Sequence, residues 1–103
     1  MASVGGCRSS FGFTADKIIY KGDGKLVSIH GLATGTDEAY VKLYDNNSAA
    51  SNSNSNLIGV LAVGGTAPKS NEADMHGVLF RTGIYADVTH VSGTGSTFLV
   101  EIS

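Results

Sequence analysis

The residues able to do chemistry in this sequence are few and scattered. A structural or catalytic metal needs three or four ligands that converge. The three histidines do not suggest such a set. His30 and His90 fall on the polar faces of predicted strands, and His76 lies in or beside a loop near Asp74. One histidine from each copy meeting on a three-fold axis is a variant the sequence leaves open. Cys7 is the sole cysteine, so the chain has neither an internal disulfide nor a cysteine zinc cluster. Asp37 and Glu38 are adjacent. On a strand they would point to opposite faces, so they read as a solvated turn rather than an acid–base pair. Asp45-Asn46-Asn47 opens like a calcium loop but lacks the glutamate at its twelfth position. Gly24-Lys25 would need a glycine at position 19 to be a phosphate loop, and Ile19 stands there. Gly93-Thr94-Gly95 has neither the third glycine nor the following helix of a dinucleotide fingerprint. The chain is serine-rich but has no Gly-x-Ser-x-Gly elbow. Asn46-Asn47-Ser48 fits a glycosylation sequon and reads as coincidence without a secretion signal. The sequence therefore predicts no enzyme, no cofactor and no metal.

The aromatic residues carry more information. Tyr40, Tyr44 and Tyr85 alternate with apolar residues in predicted strands, which sets them on outer faces. A tyrosine there suits a protein interface, because the ring packs while the hydroxyl stays hydrated. It equally suits stacking on a sugar, and ordinary cross-strand packing is the plainest use. Phe11 and Phe13 would share one face of an extended segment and anchor it to the domain or to a neighbour. These five are the candidate interface residues.

The elements that must position them are strands. Lys17–Lys21 is β-branched and aromatic. Gly22-Asp23-Gly24 then reads as a hairpin turn leading into a return strand at Lys25–Leu32. Within it Val27 and Ile29 point one way, Ser28 and His30 the other. Ala39–Tyr44 alternates, with Val41 and Leu43 inward. Residues 47–56 are polar and repetitive, which predicts an exposed mobile loop. Leu57–Val63 is apolar throughout, as a central strand would be. Gly64–Ala73 reads as a loop around Pro68, followed by strands at Val78–Arg81 and Gly83–Val91. Thr97–Ile102 closes the chain, with Phe98, Val100 and Ile102 inward. Seven to eight short strands and no helical period predict an all-β, antiparallel two-sheet sandwich of jelly-roll type, with a small barrel as the alternative. Residues 1–16 read as an N-terminal arm and 17–103 as the sandwich domain.

Composition narrows the partners. With 103 residues the chain makes one domain. Charged residues are 16%, well under the usual share of about 25%. A charge-poor surface is common where a protein packs on neighbours. The net charge is −2, and the basic residues are spread from Arg8 to Arg81 rather than clustered, which argues against nucleic acid. No apolar run is long enough to span a membrane, and the N-terminus lacks the basic-then-apolar pattern of a signal peptide.

One resemblance stands beside this reading. The run VKLYDNNSAA (Val41–Ala50), a polar stretch, and LIGVLAV (Leu57–Val63) resemble small virion proteins of tailed phages. GVLFRTGIYADVTHVSGTGSTFLVEIS (Gly77–Ser103) extends the likeness, which covers about residues 17–103. It is a pattern of strands and turns, not a catalytic signature. The resemblance implies a β-sandwich module on the particle exterior, made in the host cytoplasm. A head decoration protein binding the major capsid protein is the first expectation. A neck or tail accessory protein (adaptor, fibre or knob) is another, and a carbohydrate-binding module a third. It also implies a homo-oligomer, with a trimeric ring favoured, whose many weak contacts gain avidity on a lattice.

Overall fold

A computed structural model describes residues 7–103. Among them lie eight strands: β1 (Arg8–Ser9), β2 (Lys17–Lys21), β3 (Gly24–Leu32), β4 (Glu38–Tyr44), β5 (Leu57–Gly64), β6 (Ser70–Phe80), β7 (Gly83–Ser92) and β8 (Thr97–Ile102). They form two four-stranded sheets, ordered β1-β8-β3-β6 and β2-β7-β4-β5, with every ladder antiparallel. First pairs with last, second with seventh, third with sixth and fourth with fifth. The chain is one long hairpin, bent over and wound into a jelly roll. The expected two-sheet sandwich is the observed fold.

Alternation drives the stacking. Leu26, Ile29, Phe80, Phe98, Val100 and Ile102 from the first sheet meet Val41, Leu43, Leu61, Val63, Ile84 and Ala86 from the second, all buried. Each larger side chain among them contributes about 1.5–3 kcal/mol by leaving water. Phe13 joins this core and sits 6.4 Å from Phe98, ring centre to ring centre. Its backbone bridges Phe98 in both directions at 2.8 and 2.9 Å. The segment read as an arm therefore contributes, from Arg8 to Phe13, an edge strand and a core ring. Residues 1–6 of that arm lie outside the described residues.

Several local expectations change. Gly22-Asp23 is not a hairpin turn, since β2 and β3 lie in different sheets. It is a corner between sheets, paired with a second corner at Arg81-Thr82 through Gly22 N–H donating to Thr82 O (3.0 Å). The one direct hairpin in the second sheet, β4–β5, is closed by the polar loop 45–56. That loop is bonded to itself rather than free. Asn46 Nδ2 donates to Ala50 O and to Asn52 Oδ1, Asn52 Nδ2 to Ala49 O, and Ser53 N–H to Asn56 Oδ1. Side-chain amides supply the partners that apolar burial does not. Leu57–Gly64 is an edge strand, not a central one. Strand β6 begins at Ser70, so the last four residues of the expected loop around Pro68, Ser70–Ala73, are strand. Val27 is a bulge, where β3 gains a residue over β8. It shifts the parity, so Leu26 rather than Val27 pairs with Ile29 in the core.

The end of β4 is fastened to the β6–β7 corner by one carboxylate. Asp45 accepts hydrogen bonds from Arg81 N–H (3.0 Å), Thr82 N–H (2.9 Å) and Thr82 Oγ–H (3.0 Å). Partial burial pushes its pKa up, but these donors outweigh it and hold the carboxyl below its ordinary value.

Candidate interaction surface

The outer face of the second sheet collects the aromatic candidates in register. One row across four strands reads Ile18–Tyr85–Tyr44–Leu57. The next reads Asp87–Lys42–Val60, and the third Thr89–Tyr40–Ala62. Each tyrosine takes the outward position that alternation gives it. Exposure separates them, however. Tyr44 is 7% exposed and Tyr85 9%, so both are buried in a row that was expected to be open. Tyr85 stands between Ile18 and Tyr44, and Tyr44 between Tyr85 and Leu57, the cross-strand positions from which neighbours pack on a ring. Tyr40 is half-buried, and Lys42 Nζ lies 5.8 Å from its ring centre.

Asp16 knits this face to the N-terminal segment. Its Oδ1 accepts from Val88 N–H at 2.8 Å. Burial raises the Tyr85 pKa, and the Asp16 charge adds to the rise. Asp87 is raised by burial and again by Asp16, with Lys42 opposing. The face is thus an aromatic and aliphatic row beside a charged row, with Val60 exposed at its border.

Phe11 and Phe13 do not share a face. Phe13 is core, whereas Phe11 is 78% exposed. Phe11 has φ of 59°, a left-handed conformation costly for a bulky residue. It is held by Ser9 Oγ accepting from Phe11 N–H (2.9 Å) and by Ser10 Oγ–H donating to Phe11 O (2.8 Å). The bend it makes breaks the extended alternation on which a shared face depended.

The outer face of the first sheet is more polar. The β3–β8 register brings Ser28 beside Glu101 and places His30 next along β3. Ser28 Oγ–H donates to Glu101 Oε1 at 2.5 Å. His30 Nε2 lies 3.0 Å from Ser28 Oγ and 3.3 Å from Glu101 Oε1. The Ser28 hydroxyl, then His30, hold the Glu101 pKa below its ordinary value. The trio has the residue types of a nucleophilic triad but not its wiring. A relay needs the carboxylate on one ring nitrogen and the serine on the other. Here one nitrogen faces both, and the serine proton is already directed at the carboxylate.

The other histidines stand apart. His90 is not on the open polar face. It pairs with core residue Ala39, and its Nε2 lies 2.6 Å from Thr14 O. His76 Nδ1 lies 3.6 Å from Asp74 Oδ1 at an exposed bulge. Among the described residues no three of His, Cys, Asp or Glu are grouped as metal ligands. Asp16, Asp87, Ser28 and Glu101 were not singled out from sequence. Their partners lie far along the chain, and only strand register reveals them.

No protein-family model, curated protein or solved structure matches this chain.

Proposed function

We propose that this protein is a structural binding module on the outside of a phage particle. In this reading it decorates the head by packing one sheet face on the major capsid protein. The supporting observation is the outer face of β2-β7-β4-β5. It sets packed aromatic rings, one accessible tyrosine, a Lys–Asp row and an exposed valine on a rigid sheet. Such a mixture of aromatic, aliphatic and charged side chains suits a protein interface. Jelly rolls serve as capsid domains and as lectins alike, so the fold alone does not choose between them. The likeness of Val41–Val63 and Gly77–Ser103 to small virion proteins favours the particle, whether at head, neck or tail. Self-association into a ring belongs to the same reading. A glycan-binding role would rest on Tyr40, because the Tyr44 and Tyr85 rings are buried.

Mass spectrometry of purified particles tests the proposal. The protein should co-purify with them at a fixed stoichiometry through density-gradient centrifugation. Its absence from particles made by cells that express it would overturn the reading. Saturable binding on a glycan array, lost in Tyr40→Ala, would support the carbohydrate role instead.

A further inference from the structure

The two sheets expose four edge strands, and three are blunted. β1 has two residues. β2 carries Lys17 and Lys21 at its ends and a register shift between Ile18 and Tyr20. β6 carries Glu72 and Asp74 and is broken by the bulge at His76-Gly77, with φ of 54° and 74°. Short length, charge and bulges are how edges avoid pairing with other chains. β5 is different. Leu57–Gly64 contains no charged residue and no proline.

The backbone of β5 shows where it is open. Gly64 N–H donates to Pro68 O (3.0 Å) and Gly64 O accepts from Ala67 N–H (2.8 Å). Both groups of Gly64 therefore point away from β4. With a period of two, those of Ala62 and Val60 do the same. Asn71 Nδ2 covers Ala62 O at 3.0 Å. Among the described residues, the N–H and C=O of Val60 and the N–H of Ala62 are left facing outward. Beside them Leu57, Ile58, Gly59, Val60 and Met75 line a shallow apolar recess, and Val60 is 54% exposed.

We infer that β5 pairs antiparallel with β5 of a second copy across a two-fold axis at Val60. In such a pair each residue at the axis meets its own copy, so a charge there would repel itself. β5 has none. Val60 N–H and C=O would exchange two hydrogen bonds with their counterparts, and the two valine side chains would meet on the outer face. The nearest charge in that row is Lys42 on β4. Lys42 and its copy would be three strand spacings apart, about 14 Å, beyond the screening length of about 8 Å in physiological salt. The product is one continuous eight-stranded sheet made from two copies. This two-fold pairing does not depend on the virion reading, and it differs from the three-fold ring that the resemblance implies.

Sedimentation equilibrium over a range of concentrations tests it. The native chain should show a species of twice the 10.6 kDa chain mass. Val60→Lys should raise the dimer dissociation constant at least about tenfold, because it sets two ammonium groups face to face at the axis. Ala62→Pro removes an outward N–H that β4 does not use and should weaken the dimer too. Circular dichroism confirms that each variant keeps its strands. If either fails to fold, hydrogen exchange on the native chain decides. The Val60 amide should gain protection as concentration rises through the dimer range. A monomer at every concentration, a trimer, or a dimer untouched by both variants would overturn the pairing. So would a Val60 amide that exchanges freely in the dimer. None of these outcomes bears on whether the protein is found in particles.

Discussion

Replacing Asp45 with alanine should destabilise the fold in a pH-dependent way. The carboxylate accepts from two backbone N–H groups and one hydroxyl of the β6–β7 corner. A hydrogen bond to a charged group contributes about 1.5–3 kcal/mol net. The corner is largely open to water, which rehydrates the freed donors, so the three contacts do not add fully. We expect a loss of about 2 kcal/mol at neutral pH. In a domain of this size each 1 kcal/mol moves Tm by about 4–8 °C, so Tm should fall by about 12 °C. The folded-state pKa of Asp45 is depressed, because the donors outweigh partial burial. Its charged contribution is therefore complete above the unfolded value of about 3.9 and is lost as pH falls through the folded value. The Tm difference between native protein and Asp45→Ala should be widest at neutral pH and shrink steadily below about pH 4. Thermal melts followed by circular dichroism, at one protein concentration and several pH values, measure this directly. An equal Tm loss at neutral and acid pH would refute the argument. So would a loss under about 3 °C at pH 7.

Three further outcomes follow from the geometry. In Gly31→Ala the new methyl would lie 2.8 Å from Val63 Cγ1 and 2.9 Å from Phe98 Cδ1, between the two sheets. Overpacking there should cost about 1–3 kcal/mol, seen as a lower urea midpoint with unchanged slope; a neutral result would mean the sheets yield more than a packed core should. Ser28→Ala removes the first of the groups that depress the Glu101 pKa. A carbon-13 NMR titration should show that carboxyl moving up toward its ordinary value, and no movement would deny the hydroxyl its role. Tyr44→Ala and Tyr85→Ala should each cost about 3 kcal/mol in denaturant melts, since both rings are buried. Tyr40→Ala should cost under about 1 kcal/mol. Loss of stability shared equally by all three would erase the distinction between packed and accessible rings.

Much of this fold was legible because alternation is a local signal. Val41 and Leu43, Ile84 and Ala86, and Phe98, Val100 and Ile102 all face the core as their spacing predicts. What escaped was non-local. Asp23-Gly24 is as good a hairpin signal as a short sequence offers, yet the chain uses this point to change sheets. The hairpin signal is energetically small, whereas the corner lets apolar faces from both sheets meet. The apolar run Leu57–Val63 reads as central because it lacks polar alternation, but Val60 and Ala62 face outward on an edge. The bulge at Val27 is silent in sequence, since it exists only relative to the neighbouring strands β8 and β6. Of the candidate surface, the outward direction of Tyr40, Tyr44 and Tyr85 was readable. The burial of two of them was not, because it depends on which strands bring Ile18 and Leu57 alongside.

The winding of the strands also governs the order in which the molecule can fold. Of the strands that pair with each other, only β4 and β5 are consecutive along the chain, and each outer pair encloses the one before it. Once the asparagine-bonded tip closes, β3 and β6 are brought near, then β2 and β7, so each later step joins ends that are already close and costs little loop entropy. Strand β8 lies between β1 and β3, so the first sheet stays interrupted until residue 102 has left the ribosome. High contact order of this kind makes folding slow. A nascent chain halted before Thr97 would leave Phe13 without the Phe98 ring and β3 without one of its two neighbouring strands.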